Sequence, residues 1–428
     1  MSVKAVNQKK YREQVLQKIE ENREETVASL LEFLGHASRM TQEAGAQTYY
    51  AKLLEKMGLD VDKWEPQPED MSINPNFMAC RDSYKGSPNV AAVCHGTGNG
   101  RSLMLSGHVD VVPEGAGWSK EPFTGVREEG KIYGRGSADM KGGLIANYMA
   151  LKAILDCGIR LKGDVILASV IGEETGGAGT LSLIKRGYKA DAGIIPEPSD
   201  MAICPVSMGV IWYRVNVKGL QAHAANAHLG VSAIDKAFVI ASALEKCNKE
   251  ERMTLKHPLY NEVPNPFNIN IGTLQAGSFP TSVPGEAEIT GRIAFSPEED
   301  VEEAKKVLED AVYRAARLDP WMKNHPPQVE WYGFCLNSGK VEMDHPLLTL
   351  MKKKYWDVTG KDARVIGTPW GTDAGSLIRF GGTPTIVFGP GPRETAHQVD
   401  EYVSEEKLIQ VAGVIACTIL DWCEVSEQ

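Results

Sequence analysis

The sequence predicts an α/β fold interrupted by an inserted α+β domain. Three observations predict it. Strand-like apolar runs alternate with helical segments from about residue 90 to 196, the pattern of a mostly parallel sheet between helices. From residue 210 to 332 the order becomes β-α-β-β-α-β, a ferredoxin-like arrangement with helices on one face of its sheet. After it, helix, strand and helix resume the first pattern. A chain of 428 residues is too long for one ordinary core. Residues 1–207 with 334–428 are therefore expected to form one discontinuous domain, and residues 208–333 the inserted one.

The elements follow in order. Residues 9–34 read as one long helix, with Val15, Ile19, Val27, Leu30, Leu31 and Leu34 at its apolar positions. A second helix covers 47–57 and stops at Gly58, and the proline-containing stretch 66–88 reads as loop. Residues 90–94 and 103–106 are strands, and the glycine-rich 95–100 between them predicts a hairpin turn. That stretch lacks the spacing of a phosphate-binding loop. Helix 143–154, strand 165–171, helix 179–186 and strand 192–196 come next. In the inserted domain, strand 210–217 precedes helix 231–247, whose Ile234, Ala237, Phe238, Ala241 and Leu244 share one face. Strands 268–273 and 287–294, helix 300–316 and strand 328–332 complete it. Helix 346–359, strand 384–388 and helix 404–422 return to the first domain.

Composition narrows the function. The net charge of -10, with no dense basic run, argues against a nucleic-acid partner. The eight cysteines are scattered without a CxxC pair. That pattern argues against a thiolate metal site and for reduced thiols in the cytoplasm. The chain begins with polar residues rather than a signal peptide, and its longest apolar runs are too short to span a bilayer, so no membrane association is expected.

The chemistry concentrates at predicted strand ends. Strand 103–106 runs into His108 and Asp110, which point the same way because strand side chains alternate. A carboxylate there can fix the imidazole tautomer and leave the other ring nitrogen for a metal. Asp139, Glu173-Glu174, Glu197 and His397 each fall where a strand gives way to a loop, the place where ligands collect in α/β sheets. Imidazoles and carboxylates without thiolates suit zinc, with manganese or cobalt as alternatives. Five candidate ligands exceed the needs of one catalytic ion. Two ions sharing Asp139 would use them all. Glu173 and Glu174 diverge in direction as neighbours, so one can ligate while the other faces the attacking water as general base. Taken alone, a Glu-Glu pair is a solvated loop feature.

Together, Ser106-Gly-His108-Val-Asp110, Gly134-Arg-Gly-Ser-Ala-Asp139-Met-Lys-Gly-Gly143, Gly172-Glu173-Glu174, Glu197-Pro198, Gly389-Pro-Gly391 and Ala396-His397 resemble the M20 metallopeptidase family. The likeness is strongest to its branch of acetylornithine deacetylases and succinyl-diaminopimelate desuccinylases. It spans nearly the whole chain, with the motifs in the family's order. It implies a zinc-exopeptidase-like α/β/α catalytic domain, and a ferredoxin-like lid and dimerisation domain that would make the protein a homodimer. By the same resemblance His108 and Glu197 would hold one cation, Glu174 and His397 the other, and Asp139 would bridge them. Asp110 would orient His108, Glu173 would be the general base, and the Asp139–Met140 peptide would be cis.

The resemblance also supplies substrate-side candidates. His223, in Gly219-Leu-Gln-Ala-His223-Ala, matches a histidine that stabilises the tetrahedral oxyanion, often across the dimer interface. His228 nearby reads as a surface histidine. Arg292 stands where relatives place a carboxylate-binding arginine, though a surface arginine reads almost equally well. Thr281 replaces a substrate-contacting asparagine, which departs from standard amino-acid recognition. Gly371 lies in the glycine-rich Trp370–Gly375 loop near the pocket. Trp370 itself reads as a core tryptophan ahead of a substrate-stacking one. The expected activity is removal of an acyl group from a small amino compound. Alternatives are a dipeptidase or carboxypeptidase, a hydrolase of N-formyl or aminated ring compounds, and, remotely, a non-catalytic homologue.

Overall fold

The computed structural model describes residues 3–426. Its main sheet has nine strands. Four of them are parallel neighbours, in the order Val165–Val170, Leu103–His108, Ala192–Ile195, Thr385–Val387. Leu103 and Leu105 face one apolar layer and Met104 the other, so alternate side chains pack under helices on both faces. The helices Lys141–Asp156 and Glu405–Trp422 are the most deeply buried in the larger layer.

The second sheet is built from Gln328–Leu336, Gly209–Lys218, Glu286–Phe295 and Ile269–Ala276, all antiparallel. Helices Ala233–Glu250 and Val301–Leu318 cover one face. Ile211, Tyr213, Val215 and Val217 join their core, as do Ala237, Leu244 and Leu308. This is the split β-α-β-β-α-β arrangement expected from the alternating pattern. The opposite face, carrying Trp212 and Arg292, stays free of helices and turns towards the parallel strand ends. The architecture is an α/β domain with an α+β lid over the ends of its parallel strands.

Two expectations are corrected. Residues 95–100 do not form a hairpin. Val165–Val170 inserts between the two strands, antiparallel to one and parallel to the other. The glycines serve close approach instead: a Cβ on Gly96 or Gly100 would lie 2.2 or 2.3 Å from the backbone of Lys162 or Gly163. The single long N-terminal helix is two helices, Val3–Glu21 and Arg23–Leu34. They break at Asn22, whose backbone leaves the helical region (φ -87°, ψ 10°) and whose side chain bonds Asp156 instead.

Some strands gave no sequence signal. Ile203–Ser207 contains Pro205, which disguises it. A three-stranded sheet of Val126–Glu128, Lys131–Tyr133 and Tyr402–Ser404 is too short to show periodicity. No helix among the described residues is long and apolar enough to cross a membrane, and all eight cysteines are unpaired.

Candidate metal centre and active site

The parallel strands deliver the chemistry at one edge. His108 ends its strand, Glu173 and Glu174 follow Val165–Val170, and Glu197 follows Ala192–Ile195. His397 lies on the segment after Thr385–Val387. Asp139 comes from the loop before the Lys141–Asp156 helix, and the Asp139–Met140 peptide is cis.

All five candidate ligands converge. His108 Nε2 lies 3.1 Å from Asp139 Oδ1 and 3.7 Å from Glu197 Oε1. His397 Nε2 lies 2.9 Å from Glu174 Oε1 and 3.3 Å from Asp139 Oδ2. Ligand atoms of His108, Asp139 and Glu197 fall within 4.8 Å of one another, and so do those of Asp139, Glu174 and His397. Asp139 belongs to both groups, one oxygen to each. Buried Glu197 Oε1 has no hydrogen-bond partner, a costly state for an acceptor unless a cation or proton completes it. The donor set and this orphaned oxygen fit a pair of divalent cations.

Electrostatics agree. Burial, then repulsion from neighbouring carboxylates, pushes Glu173 and Glu197 well above the usual carboxylate range, and burial raises Glu174. Burial opposes protonation of His397, but the hydrogen bonds to Asp139 and Glu174 outweigh it and carry it up to about 11. Burial would likewise raise Asp139, yet the two imidazoles hold it low. Four carboxylates crowded beneath a lid need positive charge, which the imidazoles supply only by holding protons.

The turn carrying the two glutamates is pinned from below. Asp110 Oδ1 accepts from Gly172 N (2.8 Å) and Glu173 N (3.3 Å), and its Oδ2 accepts from Glu174 N (3.1 Å). His108 Nδ1 lies 2.9 Å from the Asp110 carbonyl oxygen and 3.7 Å from the carboxylate. Asp110 therefore orients His108 through its backbone, while its carboxylate organises the turn. Gly172 starts the turn at φ 75°, a left-handed conformation costly for other residues. Glu173 is only 6% exposed, unlike a solvated acidic pair. His397 sits at φ 63°, strain that clusters at functional sites.

A cavity of about 870 Å³ opens over the cluster. The lid contributes Trp212, Arg292, Glu262 and Pro264 to its walls, and the catalytic domain Trp370, Gly371 and Arg393. Trp370 is thus a wall residue rather than a core one, because its loop passes the mouth of the site. Its Nε1 is buried without a partner. Burial depresses Arg292. Sequence reasoning missed Glu262, Phe334 and Arg393, which no motif flags. It also missed Asp373, whose Oδ2 accepts from Thr180 at 2.7 Å and which burial raises to about 6. His223 and Thr281 lie together but outside this cavity. Ala224 N donates to the Thr281 carbonyl at 2.9 Å, and His223 pairs with Ser282. Both side chains are exposed, as is His228.

Comparison with known proteins decides the family. The family model described as "Peptidase family M20/M25/M40" matches residues 104–421. The chain belongs to peptidase family M20/M25/M40. As a member of this family it is a metal-dependent hydrolase of amide C–N bonds. It is 32% identical to an N-formyl-4-amino-5-aminomethyl-2-methylpyrimidine deformylase of Halalkalibacterium halodurans, over 96% of this chain and 98% of that one. It is 29% identical to a succinyl-diaminopimelate desuccinylase of Alkalilimnicola ehrlichii, over 89% and 94%. Among solved structures the fold is shared with the di-peptidase Dug1p of Saccharomyces cerevisiae. The TM-score is 0.75 at 15% identity, over 97% of this chain and 99% of that one.

Proposed function

We propose that this M20 enzyme removes a formyl or other short acyl group from an amine carried on a small flat ring, of the class named for its deformylase relatives. The observation that carries the reading is the cavity wall. Trp212, Phe334 and Trp370 offer aromatic faces to a ring. Glu262 offers an acceptor, and Arg292 and Trp370 Nε1 offer donors. An aminopyrimidine presents both matching kinds of group on one edge.

In this reading His108 and Glu197 hold one divalent cation, Glu174 and His397 a second, and Asp139 both. The imidazole and carboxylate donors would suit zinc, with manganese or cobalt as alternatives. Such a pair, when bound, lowers the pKa of water and polarises the substrate carbonyl. Glu173 takes the proton from the attacking water and returns it to the departing amine nitrogen. Asp110 keeps Glu173 and Glu174 in register by gripping their amides. The lid, whose last strand runs past the expected boundary at residue 333 to Leu336, walls the cavity in which the ring would dock.

A specific observation favours a second reading. The Arg292 guanidinium lines the cavity and makes no ion pair among the described residues, so it can fork onto a carboxylate, as a dipeptidase or carboxypeptidase requires. Turnover of zinc-loaded protein on N-formyl aminomethylpyrimidines, N-acyl amino acids and dipeptides separates the two. The ring substrates are expected to give a kcat/KM at least tenfold above any dipeptide. A dipeptide preference would install the second reading.

The partner in this reading is a second copy of the chain, joined through the lid. The lid exposes Leu229, Phe238 and Phe279, the last at 64%, and it holds His223 and Thr281 away from their own cavity, where a neighbour's site could use them. Sedimentation is expected to give twice the 46.7 kDa chain mass, and a monomer at micromolar concentration would remove the role given to His223. In this reading the enzyme works in the cytoplasm, which its eight unpaired cysteines support.

A further inference from the structure

We propose that Glu401 is a positioning residue for the cation site: it shapes the Asp139 loop and so sets how tightly the cations bind. Glu401 is fully buried. Its Oε1 accepts from three successive parts of that loop: Gly136 N at 3.1 Å, Ala138 N at 2.9 Å and Asp139 N at 3.0 Å. Its Oε2 accepts from Arg135 Nη1 at 2.5 Å. Arg135 is itself buried and donates further to the Glu114 carbonyl at 3.3 Å. The backbone holds the same register, with Gly134 N donating to the Glu401 carbonyl at 2.9 Å and Tyr402 pairing with Tyr133.

This carboxylate stands in for an anion in a nest of amides. Three N–H groups converging on one oxygen, beside a desolvated guanidinium, bind a charged acceptor more strongly than a neutral one. Its position adds a second link. Glu401 lies four residues after His397, so one side chain ties the segment bearing His397 to the loop bearing Asp139. These are two of the three residues in the Asp139–Glu174–His397 group. Asp110 treats the 172–174 amides in the same way, so each of two ligand-bearing loops is gathered by its own inner carboxylate. Outer partners that orient ligands typically control metal affinity by about 10–100-fold.

Glu401→Gln keeps an oxygen for the amides but turns an NH₂ towards Arg135, donor against donor. Arg135→Lys keeps the charge and loses the fork, and it provides a second, milder probe should the first variant fold poorly. The inference rests on the paired-cation reading, so metal-free parent and variants are titrated with zinc side by side against a competing chelator. Thermal unfolding of the metal-free forms is recorded in parallel. The expected result is zinc binding weakened about 10–100-fold in Glu401→Gln and about tenfold in Arg135→Lys, in protein still folded at the titration temperature. Zinc affinities within twofold of the parent in the folded variants, whatever their melting temperatures, would overturn the role given to Glu401. Failure of the parent itself to bind zinc would overturn the cation reading instead.

Discussion

Glu173→Ala is expected to lower kcat by about 10²–10⁴-fold, the usual contribution of a positioned general base, without loss of bound cations. Glu173 stands outside both three-residue groups that share Asp139, yet its carboxylate joins His108 and Glu174 within 4.8 Å. In the proposed reading it faces the reacting water, and the cations keep their other ligands when it is truncated. Burial and the neighbouring Glu197 raise its proton affinity, which suits a group that must accept a proton and then surrender it to an amine nitrogen. Its backbone is fixed by Asp110 through bonds to Gly172, Glu173 and Glu174, and truncating its side chain leaves those bonds in place. Steady-state kinetics with elemental analysis of the same sample checks the expectation. Parent-like turnover in the variant would move the base elsewhere, and loss of metal would make Glu173 a ligand.

Asp139→Ala is expected to do more: turnover at the uncatalysed level and no cation retained through gel filtration. Asp139 is the one residue common to the two groups, and its removal leaves each with two ligands. It also leaves His108 and His397 without the carboxylate that both contact at 3.1 and 3.3 Å. The same contacts give the parent a pH signature. Without cations, His397 holds a proton up to about pH 11, His108 is raised, and Glu173 and Glu197 are raised as well. A ligating imidazole must be neutral and a ligating carboxylate charged, so loading releases protons. Cation affinity of the parent should therefore climb with pH between 6 and 8, and calorimetric binding enthalpies should differ between buffers of unlike ionisation enthalpy. A pH-independent affinity would mean that the ligands are already proton-free and would contradict the arrangement of charges described here.

Part of the candidate ligand set was legible because strand ends are where this class of sheet gathers its ligands. His108, Glu174 and Glu197 need only that rule. Asp139, in the loop before the Lys141–Asp156 helix, and His397, ten residues past Thr385–Val387, do not end a strand and were marked by the family resemblance. The inserted domain was legible because Val210–Val217 and the 231–247 helix have unmistakable periods of two and 3.6. Strand order was not legible. Nothing in residues 90–106 says that Val165–Val170 will come between two sequence neighbours, since that depends on which buried strands pair. Much of the cavity wall was equally hidden, because Trp212, Glu262 and Phe334 come from separate segments joined only by folding; the Trp370–Gly375 loop and Arg292 were marked by the family resemblance. Glu401 was one acidic residue among 56. Its partners are mostly backbone amides, which leave no mark on a sequence.

Anomalous diffraction from crystals of the zinc-loaded protein tests the central claim most directly. Two zinc peaks are expected roughly 3.5–4 Å apart, one against His108 and Glu197, one against Glu174 and His397, with Asp139 touching both. A single peak, or peaks bound by other residues, would contradict it.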